Sequence, residues 1–385
     1  MRIAIFSSSP LGEITTGSEA RMNFLVDSLS NRGVEVHVFA RRAAPELSIC
    51  KGAIFHKSPW LAKAMLRHDA LTLRSFARAS AVCTRNLKYL VRDYGFDIIQ
   101  AEEMRLTIPS YLASKLEGLP LILDEPDVEF NKAIQWKGYG DWRRIYLIEK
   151  FSCHRARRVL TSSEGEKQVM KHSFGLPENR ISVIPNGVDT AWFSPSCDME
   201  NRSKLGISNR PVVLLMGNYL YYPNADAMSL VLKELLPRVK RIIGDVVFLA
   251  IGKGLNSLGV PSDYNFKPLG FVNDPRGSIG IADVCIAPIR YGGGTRTKIL
   301  EYMSMGKAVV STSKGCEGLD VKRGEDILIE DDYDQFAMAI VSLLKNDSLR
   351  AAMGRRARET AVGSYAWSNI ASQLISVYQE ILDDK

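Results

Sequence analysis

The chain has 385 residues, of which 46% are hydrophobic and 24% are charged. This length exceeds what one hydrophobic core usually supports, and the composition is that of a folded globular chain, so we expect two domains. The net charge of +7 attracts anions such as nucleotide phosphates or acidic lipids. Zinc-finger spacing and an RNA-recognition signature are absent from the sequence, which argues against nucleic acid as a partner.

The cysteines are scattered and form no C-x-x-C pair: Cys50, Cys83, Cys153, Cys197, Cys285 and Cys316. This pattern argues against a zinc site or a disulfide framework and fits a reducing compartment. The first residues form a strand-length apolar run without the features of a signal peptide, and no apolar run approaches the roughly 20 residues that span a bilayer. We therefore expect a cytoplasmic protein.

Short apolar runs alternate with segments of helical period along the whole chain. In the first half they predict strands at 3–7, 34–40, 97–100, 120–123 and 158–162, and helices at 19–32, 106–116 and 164–172. In the second half they predict strands at 212–216, 246–251, 284–288 and 308–311, a helix at 225–241 and an amphipathic closing helix at 367–382. This order predicts right-handed β-α-β units and parallel sheets.

A turn sequence at 184–189, IPNGVD, separates the two alternating halves. We expect domains at 1–185 and 186–365, with a closing helix at 366–385. The predicted fold class is α/β, with two Rossmann-like, doubly wound parallel sheets that face each other across a cleft. Because open α/β sheets bind ligands at the carboxyl ends of their strands, function is expected in the loops that follow strands.

Two loops carry small residues where a phosphate would fit. After the first strand, Gly17 leaves room for a backbone amide to contact a phosphate at a helix start, although an ordinary turn with Ser18 as N-cap explains the same residues. After strand 284–288, glycines 292–294 precede a helix that opens near Thr297. Exposed backbone N–H groups there would form a nest for a diphosphate.

Charged side chains follow this second loop. Arg296 and Lys298 stand where they would neutralise a leaving diphosphate, and Glu301 lies one turn further, where a carboxylate accepts hydrogen bonds from ribose hydroxyls. The alternative is a flexible connector followed by a solvated helical face. A Walker A loop is excluded, because Glu301 occupies the place of its first glycine.

Several motifs occur together in one order: the loop at 17–19, the turn at 184–189 followed by 193–195, the runs 269–272 and 282–288, the glycine stretch 292–310 and the terminal 365–367. In this combination the chain resembles glycosyltransferase family 4, the retaining GT-B enzymes, over nearly its whole length. The resemblance implies a nucleotide-sugar donor held by the C-terminal domain and an acceptor held by the N-terminal domain. It also implies that closure of the cleft completes the site.

The resemblance assigns individual residues. Glu301 matches the second glutamate of the E-x7-E motif, which holds the donor ribose, and the segment 270–272 matches the lining of the base pocket. Donor-binding positions are thus expected at Gly17, Gly217, Asn218, Gly270, Phe271, Val272, Gly293, Gly294, Thr295 and Glu301.

The departures from the family pattern are equally specific. Gly293 stands in place of the first motif glutamate, and Thr16 in place of a first glycine before Gly17. The Arg and Lys that usually follow the first strand of the C-terminal domain are replaced by Asn218 and Pro223. Arg296 and Lys298 are the candidates that supply the missing positive charge.

The expected catalytic residues are Asp127, Arg296 and Lys298. The family's His-Asp pair falls on Pro126-Asp127, near Asp124, Glu125 and Glu129, although a loop of solvated carboxylates is the alternative. In a retaining transfer of this family the leaving diphosphate itself accepts the acceptor's proton, so no protein nucleophile is needed. No metal or other cofactor is expected. The acidic residues Asp331, Asp332 and Asp334 are interpreted as a helix start rather than a magnesium site.

Residues 57–92 are rich in Lys and Arg interleaved with Leu, Phe and Trp. They predict basic amphipathic helices with peripheral membrane contact, which a lipid-linked acceptor would explain, or a solvated helical face.

The sequence thus predicts transfer of a sugar from a UDP- or GDP-sugar to a carbohydrate, lipid-linked or small-molecule acceptor. The alternatives are a nucleotide-sugar epimerase of the same fold and a non-catalytic sugar-nucleotide-binding relative.

Overall fold

The computed structural model describes residues 1–7, 17–40, 52–58, 94–135, 140–196 and 199–384. These residues form two compact units, and each contains its own parallel sheet. Unit 1 comprises Met1–Asn186 and Trp367–Lys385, and unit 2 comprises Gly187–Ala366. The chain therefore passes from the first unit to the second inside the predicted turn sequence.

The sheet of unit 1 has seven strands, all paired in parallel, in the spatial order β3-β2-β1-β4-β5-β6-β7. The strands are β1 (Arg2–Ser7), β2 (Glu35–Ala40), β3 (Ile54–Lys57), β4 (Ile98–Glu102), β5 (Leu121–Asp124), β6 (Arg158–Thr161) and β7 (Ile181–Val183). The central strands are buried along their whole length, as expected for a parallel sheet that is covered on both faces.

Helices connect these strands: α1 (Gly17–Ser30), α2 (Thr107–Glu117), α3 (Glu129–Gln135), α4 (Trp142–Arg155) and α5 (Glu164–Val169). The last of them continues as a π-helical turn, Met170–Phe174, and ends at Gly175, which has a positive φ of 70°. Asp141 caps α4 and Ser163 caps α5, since each side chain accepts a hydrogen bond from a backbone N–H of the first turn.

The sheet of unit 2 has six parallel strands in the order β10-β9-β8-β11-β12-β13. They are β8 (Val212–Met216), β9 (Val247–Ile251), β10 (Phe266–Gly270), β11 (Val284–Ala287), β12 (Ala308–Ser311) and β13 (Leu328–Ile329). The helices are α6 (Met199–Lys204), α7 (Tyr222–Leu230), α8 (Leu236–Ile242), α9 (Arg276–Ile281), α10 (Thr297–Ser304), α11 (Tyr333–Lys345) and α12 (Asp347–Tyr365). A π-helical turn, Val231–Leu235, joins α7 to α8.

The closing helix, Trp367–Asp383, returns to unit 1 and packs on α1. Its Trp367 ring stacks on Phe24 with 5.8 Å between ring centroids. Further along, the Tyr378 hydroxyl donates to Oε1 of Gln100, which lies on β4, over 2.5 Å. The buried positions Ile370, Leu374 and Ile381 follow the helical spacing that the sequence displays.

The structure confirms the predicted α/β class with two doubly wound parallel sheets. Every predicted strand is present within about two residues of its expected bounds. The expected helix at 225–241 is instead two α-helices and a π-helical turn, and β3, β7, β10 and β13 were not predicted. Among the helices that the structure describes, none has the length and apolar character needed to cross a membrane. Within the predicted membrane-contact segment, 57–92, residues 59–92 are not among those that the structure describes.

Candidate functional site

Glycines close three neighbouring strands of unit 2. Gly217 follows β8, Gly252 follows β9 and Gly270 ends β10. Hydrogen bonds join these ends, from Gly217 N to Ile251 O over 3.1 Å and from Gly252 N to Gly270 O over 2.7 Å. A Cβ on Gly252 would lie 1.8 Å from the Gly217 carbonyl oxygen, so only glycine permits this approach. Gly270 has a φ of 74°, which also favours glycine.

Gly217 provides space for a lysine and its partner. A Cβ at this position would lie 2.9 Å from Cγ of Asn224 and 3.1 Å from Nζ of Lys298. The Lys298 ammonium reaches across from α10 and donates to Oδ1 of Asn224 over 2.6 Å. Asn224 in turn donates from Nδ2 to the carbonyl oxygen of Asn218 over 2.8 Å. A lysine from another element therefore lies at the place where the family's Arg and Lys are missing after β8.

Lys298 and Glu301 are held in an environment that disfavours charge. Desolvation and the positive charge of Arg296 together lower the pKa of Lys298 to about 7, although the nearby Glu301 opposes the shift. Desolvation likewise raises the pKa of Glu301 to about 7, against the effect of Lys298. Two oppositely charged groups whose pKa values meet near neutrality form a site that an anionic, hydroxyl-bearing ligand would stabilise.

The glycine loop is shaped by Arg296. Its Nη1 donates to the carbonyl oxygens of Gly293 and Gly294, and its Nη2 donates to Tyr291 O over 3.3 Å. Gly292 and Gly294 have positive φ values of 93° and 72°, which side chains other than glycine rarely adopt. Arg296 thus stabilises the turn of the loop through these hydrogen bonds. The sequence did not indicate them.

Other predicted donor residues lie around the same strand ends. Thr295 is buried, and its hydroxyl is among the side-chain atoms for which the described part of the chain offers no hydrogen-bond partner. Phe271 follows β10 with 67% of its surface exposed, and Val272 packs partly against the core. Asn218 is exposed and its Oδ1 accepts from Leu220 N. The side chains around these strand ends thus include a cation on Lys298, a hydroxyl on Thr295 and an aromatic face on Phe271.

The acidic loop of unit 1 is only partly solvated. Asp124 is fully buried and accepts two hydrogen bonds from the buried Arg21, at 3.1 and 3.0 Å. The alternative of solvated carboxylates is therefore wrong for Asp124 and Glu125, which is 1% exposed. Asp127 is 29% exposed and pairs with Lys132 over 2.8 Å, so this carboxylate is reachable from solvent.

Buried carboxyl groups support the Asp127 loop. Glu149 accepts from the backbone N–H groups of Glu129 and Phe130 at the start of α3, over 2.8 and 3.0 Å. Burial nevertheless raises the pKa of Glu149 to about 8, and burial together with the nearby Glu149 raises the pKa of Glu125 well above its usual value. The loop therefore rests on groups that hold protons near neutral pH.

Arg21 was not predicted, although it links three parts of unit 1. Besides Asp124 it donates to the carbonyl oxygens of Ile184 and Pro185, at 2.9 and 3.1 Å, and to Oδ1 of Asn186. Its sequence signal is its place on the apolar face of α1, four residues before the buried Leu25. Asn224 and Gly252 were missed as well, and neither carries a comparable signal.

The remaining sequence predictions concern Gly17 and the late acidic cluster. Gly17 opens α1 and is exposed, while Thr16 and the rest of the loop, residues 8–16, lie outside the described residues. Asp332 caps α11 by accepting from the N–H groups of Asp334 and Gln335, which confirms the helix-start interpretation. Asp334 pairs with Arg238 over 2.6 Å.

Comparisons with known proteins agree with this architecture. Escherichia coli UDP-Gal:alpha-D-GlcNAc-diphosphoundecaprenol alpha-1,3-galactosyltransferase is 25% identical over 322 residues, which cover 78% of this chain and 79% of the relative. The D-inositol 3-phosphate glycosyltransferase of Corynebacterium efficiens is 24% identical over 415 residues, covering 99% of this chain and 95% of the relative.

Solved structures share the fold. A glycosyltransferase from Rickettsia africae has a TM-score of 0.74 at 15% identity and covers 100% of this chain and 99% of its own. Anabaena HepE in complex with UDP-glucose has a TM-score of 0.72 at 15% identity and covers 99% of this chain and 100% of its own. At these identities the likeness concerns the fold alone.

Two family models match the chain in succession. Residues 15–192 match the model described as Glycosyltransferase Family 4, and residues 210–346 match the one described as Glycosyl transferases group 1. Together with the two parallel sheets and the relatives named above, these matches confirm the resemblance drawn from the sequence. The chain belongs to the family 4 glycosyltransferases and has their GT-B fold.

Proposed function

We propose that this glycosyltransferase takes its sugar from a UDP-sugar, retains the anomeric configuration, and delivers the sugar to a hydroxyl of a lipid-linked saccharide. One observation carries the donor half of the proposal: Lys298 and Glu301 lie on one helix beside the glycine loop, each with its pKa displaced to about 7. A diphosphate would supply a counter-charge for Lys298, and a ribose would supply hydrogen-bond donors for Glu301.

The diphosphate is assigned to Lys298 and the start of α10. The first N–H groups of this helix, which opens at Thr297, have no partner within the helix and carry partial positive charge. The buried Thr295 hydroxyl, which has no partner among the described residues, supplies a further donor for a phosphate oxygen. Two phosphate groups raise the pKa of Lys298 again, so the bound ammonium is charged when the leaving group develops charge.

The nucleoside is assigned to Glu301 and Phe271. An ionised Glu301 accepts hydrogen bonds from the two ribose hydroxyls, and these bonds favour the charged carboxylate over the protonated form. The exposed Phe271 ring offers a face on which a planar base stacks. Complexes of HepE with UDP and with UDP-glucose support uracil as the base.

In the transfer itself, the bond between the anomeric carbon and the diphosphate oxygen breaks while the acceptor oxygen bonds to the same face of the sugar. The acceptor's proton passes to the departing phosphate oxygen, so the reaction balances without a protein nucleophile. Asp127, which is exposed enough to meet a substrate, is assigned to orient the acceptor hydroxyl. The diphosphoundecaprenol-linked acceptor in the name of the Escherichia coli relative supports a lipid-linked saccharide.

No metal is assigned to the reaction, because the Lys298 ammonium supplies a cation where the diphosphate would lie. Treatment with EDTA should therefore leave the rate of sugar transfer unchanged. Loss of transfer that Mg²⁺ restores would contradict this assignment.

A panel of UDP, GDP and ADP tests the donor, because a ligand that binds only the folded chain raises its melting temperature. We expect UDP to give the largest shift, and Glu301→Gln to reduce that shift. Glu325→Gln is the matched control, since Glu325 is an exposed glutamate of the same unit. Equal shifts for all nucleotides, or an unchanged shift in Glu301→Gln, would overturn the donor assignment.

A non-catalytic binding role is the second candidate, favoured by Gly293 in place of the motif glutamate and by Arg296, which is engaged with the loop. Slow release of UDP from one UDP-sugar, lost in Lys298→Met, supports the enzyme. Tight UDP-sugar binding without turnover on any lipid-linked acceptor supports the binding role.

A further inference from the structure

The amino ends of β5, β6 and β7 surround a cavity of about 460 Å³ in unit 1. Its lining includes Leu121 and Arg158, the first residues of β5 and β6, and Arg180, which directly precedes β7. Asp124 lies at the other end of β5, about 10 Å along the strand. The cavity is therefore separate from Asp127, and its lining includes none of the residues assigned to the donor.

Cationic side chains dominate this cavity: Lys115, Arg155, Arg157, Arg158 and Arg180. Asp384 is the single acid among the described residues that line it. Arg180 serves the fold, because its Nη2 donates to the carbonyl oxygens of Cys153, His154 and Ala156 at the end of α4. Since Arg180 satisfies this helix end, the other cations are not required to cap it.

Two of these cations are held against one aromatic ring. The guanidinium carbon of Arg155 lies 5.2 Å from the centroid of the Tyr111 ring, and Nζ of Lys115 lies 5.7 Å from the same centroid. Arg155 also donates from Nη1 to the Tyr111 hydroxyl over 3.2 Å. A guanidinium that stacks on a ring keeps its edge N–H groups available for a planar or tetrahedral oxyanion. Like charges on one ring repel each other until an anion compensates them.

Two of these cations already pair with acids of the chain. Arg157 donates from Nη2 to the carbonyl oxygen of Asp384 over 3.1 Å, and the Asp384 carboxylate lies 3.7 Å away. Arg158 lies 3.3 Å from a carboxylate oxygen of Glu380. Arg157 and Asp384 are 48% and 68% exposed, so this pair is weak and exchanges readily with an external anion.

We propose that this cavity is a second anion site, which binds a phosphate-bearing ligand through Arg155, Arg157 and Lys115. Guanidinium groups match phosphate oxygens in pairs, and the cavity has room for a phosphate or diphosphate group. The phosphate belongs to a soluble phosphate ester or to the headgroup of an acidic lipid. In either case the site recruits or orients the protein and takes no part in the transfer step.

Methyl NMR on the full chain, with inorganic pyrophosphate as the probe, tests the site locally because Leu119 and Leu121 line the cavity. We expect saturable shifts of their methyl signals in the unmodified chain. The double variant Arg155→Ala/Arg157→Ala should bind about tenfold more weakly or worse, since it loses charge-assisted hydrogen bonds. The control Lys240→Ala/Arg241→Ala removes two exposed charges from unit 2 and should bind like the unmodified chain.

Vesicles of phosphatidylcholine with and without phosphatidic acid distinguish the two sources. Binding to phosphatidic acid that the double variant loses assigns a lipid headgroup, whereas binding of pyrophosphate alone assigns a soluble ester. Should the double variant fail to fold, the exposed pair Lys115→Ala/Arg157→Gln replaces it. Absent methyl shifts, or equal affinities in all variants, overturn the proposal.

Discussion

The Lys298 ammonium donates a hydrogen bond of 2.6 Å to the side-chain carbonyl oxygen of Asn224. Lys298 lies on α10, whereas Asn224 lies in the first turn of α7, seventy-four positions earlier in the sequence. Asn224 also holds the loop after β8 through its bond to Asn218 O. This contact fixes where the positive charge of the proposed donor site stands.

Replacement of Asn224 should separate the effect of this contact on stability from its effect on UDP binding. Asn224→Leu leaves the ammonium without its acceptor, so we expect a lower melting temperature and about tenfold weaker UDP binding. Asn224→Asp places a carboxylate beside Lys298, which should raise the melting temperature while it still weakens UDP binding through repulsion. Thermal unfolding and calorimetric titration measure both quantities. Equal shifts of melting temperature in the two variants would contradict this account.

Lys298→Met should stabilise the unliganded protein. The folded-state pKa of Lys298 is lowered from 10.5 to about 7, so the unfolded chain binds more protons between these values. Stability from this group therefore rises with pH across that window and is lowest below pH 7. At about pH 6 we expect a gain of about 1 to 3 kcal/mol in the free energy of unfolding, which shrinks toward about pH 10.

Urea denaturation at both pH values measures the change. Lys240→Met is the control, because Lys240 is exposed in the last turn of α8. This variant should give no gain in the free energy of unfolding. A destabilised Lys298→Met at the lower pH would show that the partly buried ammonium does not carry the expected cost.

The sequence was sufficient for the strands that are continuous apolar runs. Val212–Met216 and Ala308–Ser311 have the predicted bounds, because strands buried on both faces need uninterrupted aliphatic residues. β3, at Ile54–Lys57, was missed because it is a short edge strand in which no residue is fully buried. The π-helical turn Val231–Leu235 leaves the apolar spacing unbroken, so periodicity could not reveal it.

The candidate site was predictable in its residue types and not in its contacts. The motif spacing placed Lys298 and Glu301 together on the helix that follows the glycine loop, since residues three apart share a face. It could not show that Arg296 turns back to the carbonyl oxygens of the loop, or that Asn224 meets Lys298. Those contacts depend on the relative positions of β8 and β11, which only the folded sheet defines.

UDP binding should be accompanied by proton uptake. At about pH 8, Lys298 is mostly neutral in the unliganded protein, and the diphosphate should raise its pKa well above that pH. Calorimetry in buffers of different ionisation enthalpy should therefore report uptake of close to one proton. Lys298→Arg, which stays charged at every accessible pH, should bind UDP without uptake. If the heat of UDP binding to the unmodified chain does not depend on the buffer, this prediction is wrong.

Adjacent glycines of the donor loop should respond differently to the same substitution. Gly292 has a φ of 93°, and a Cβ there would lie 3.2 Å from the Tyr221 hydroxyl and 3.3 Å from Nη2 of Arg296. Gly292→Ala should therefore cost about 1 to 3 kcal/mol of stability and disturb the carbonyl oxygens that Arg296 holds. Gly293 does not have a positive φ, so Gly293→Ala should change stability by less than about 0.5 kcal/mol. Melting temperatures and UDP affinities of the two variants, compared side by side, decide whether the loop's backbone shape or merely its small size matters. If both alanines are tolerated equally, the loop is not the fixed cradle that donor binding requires.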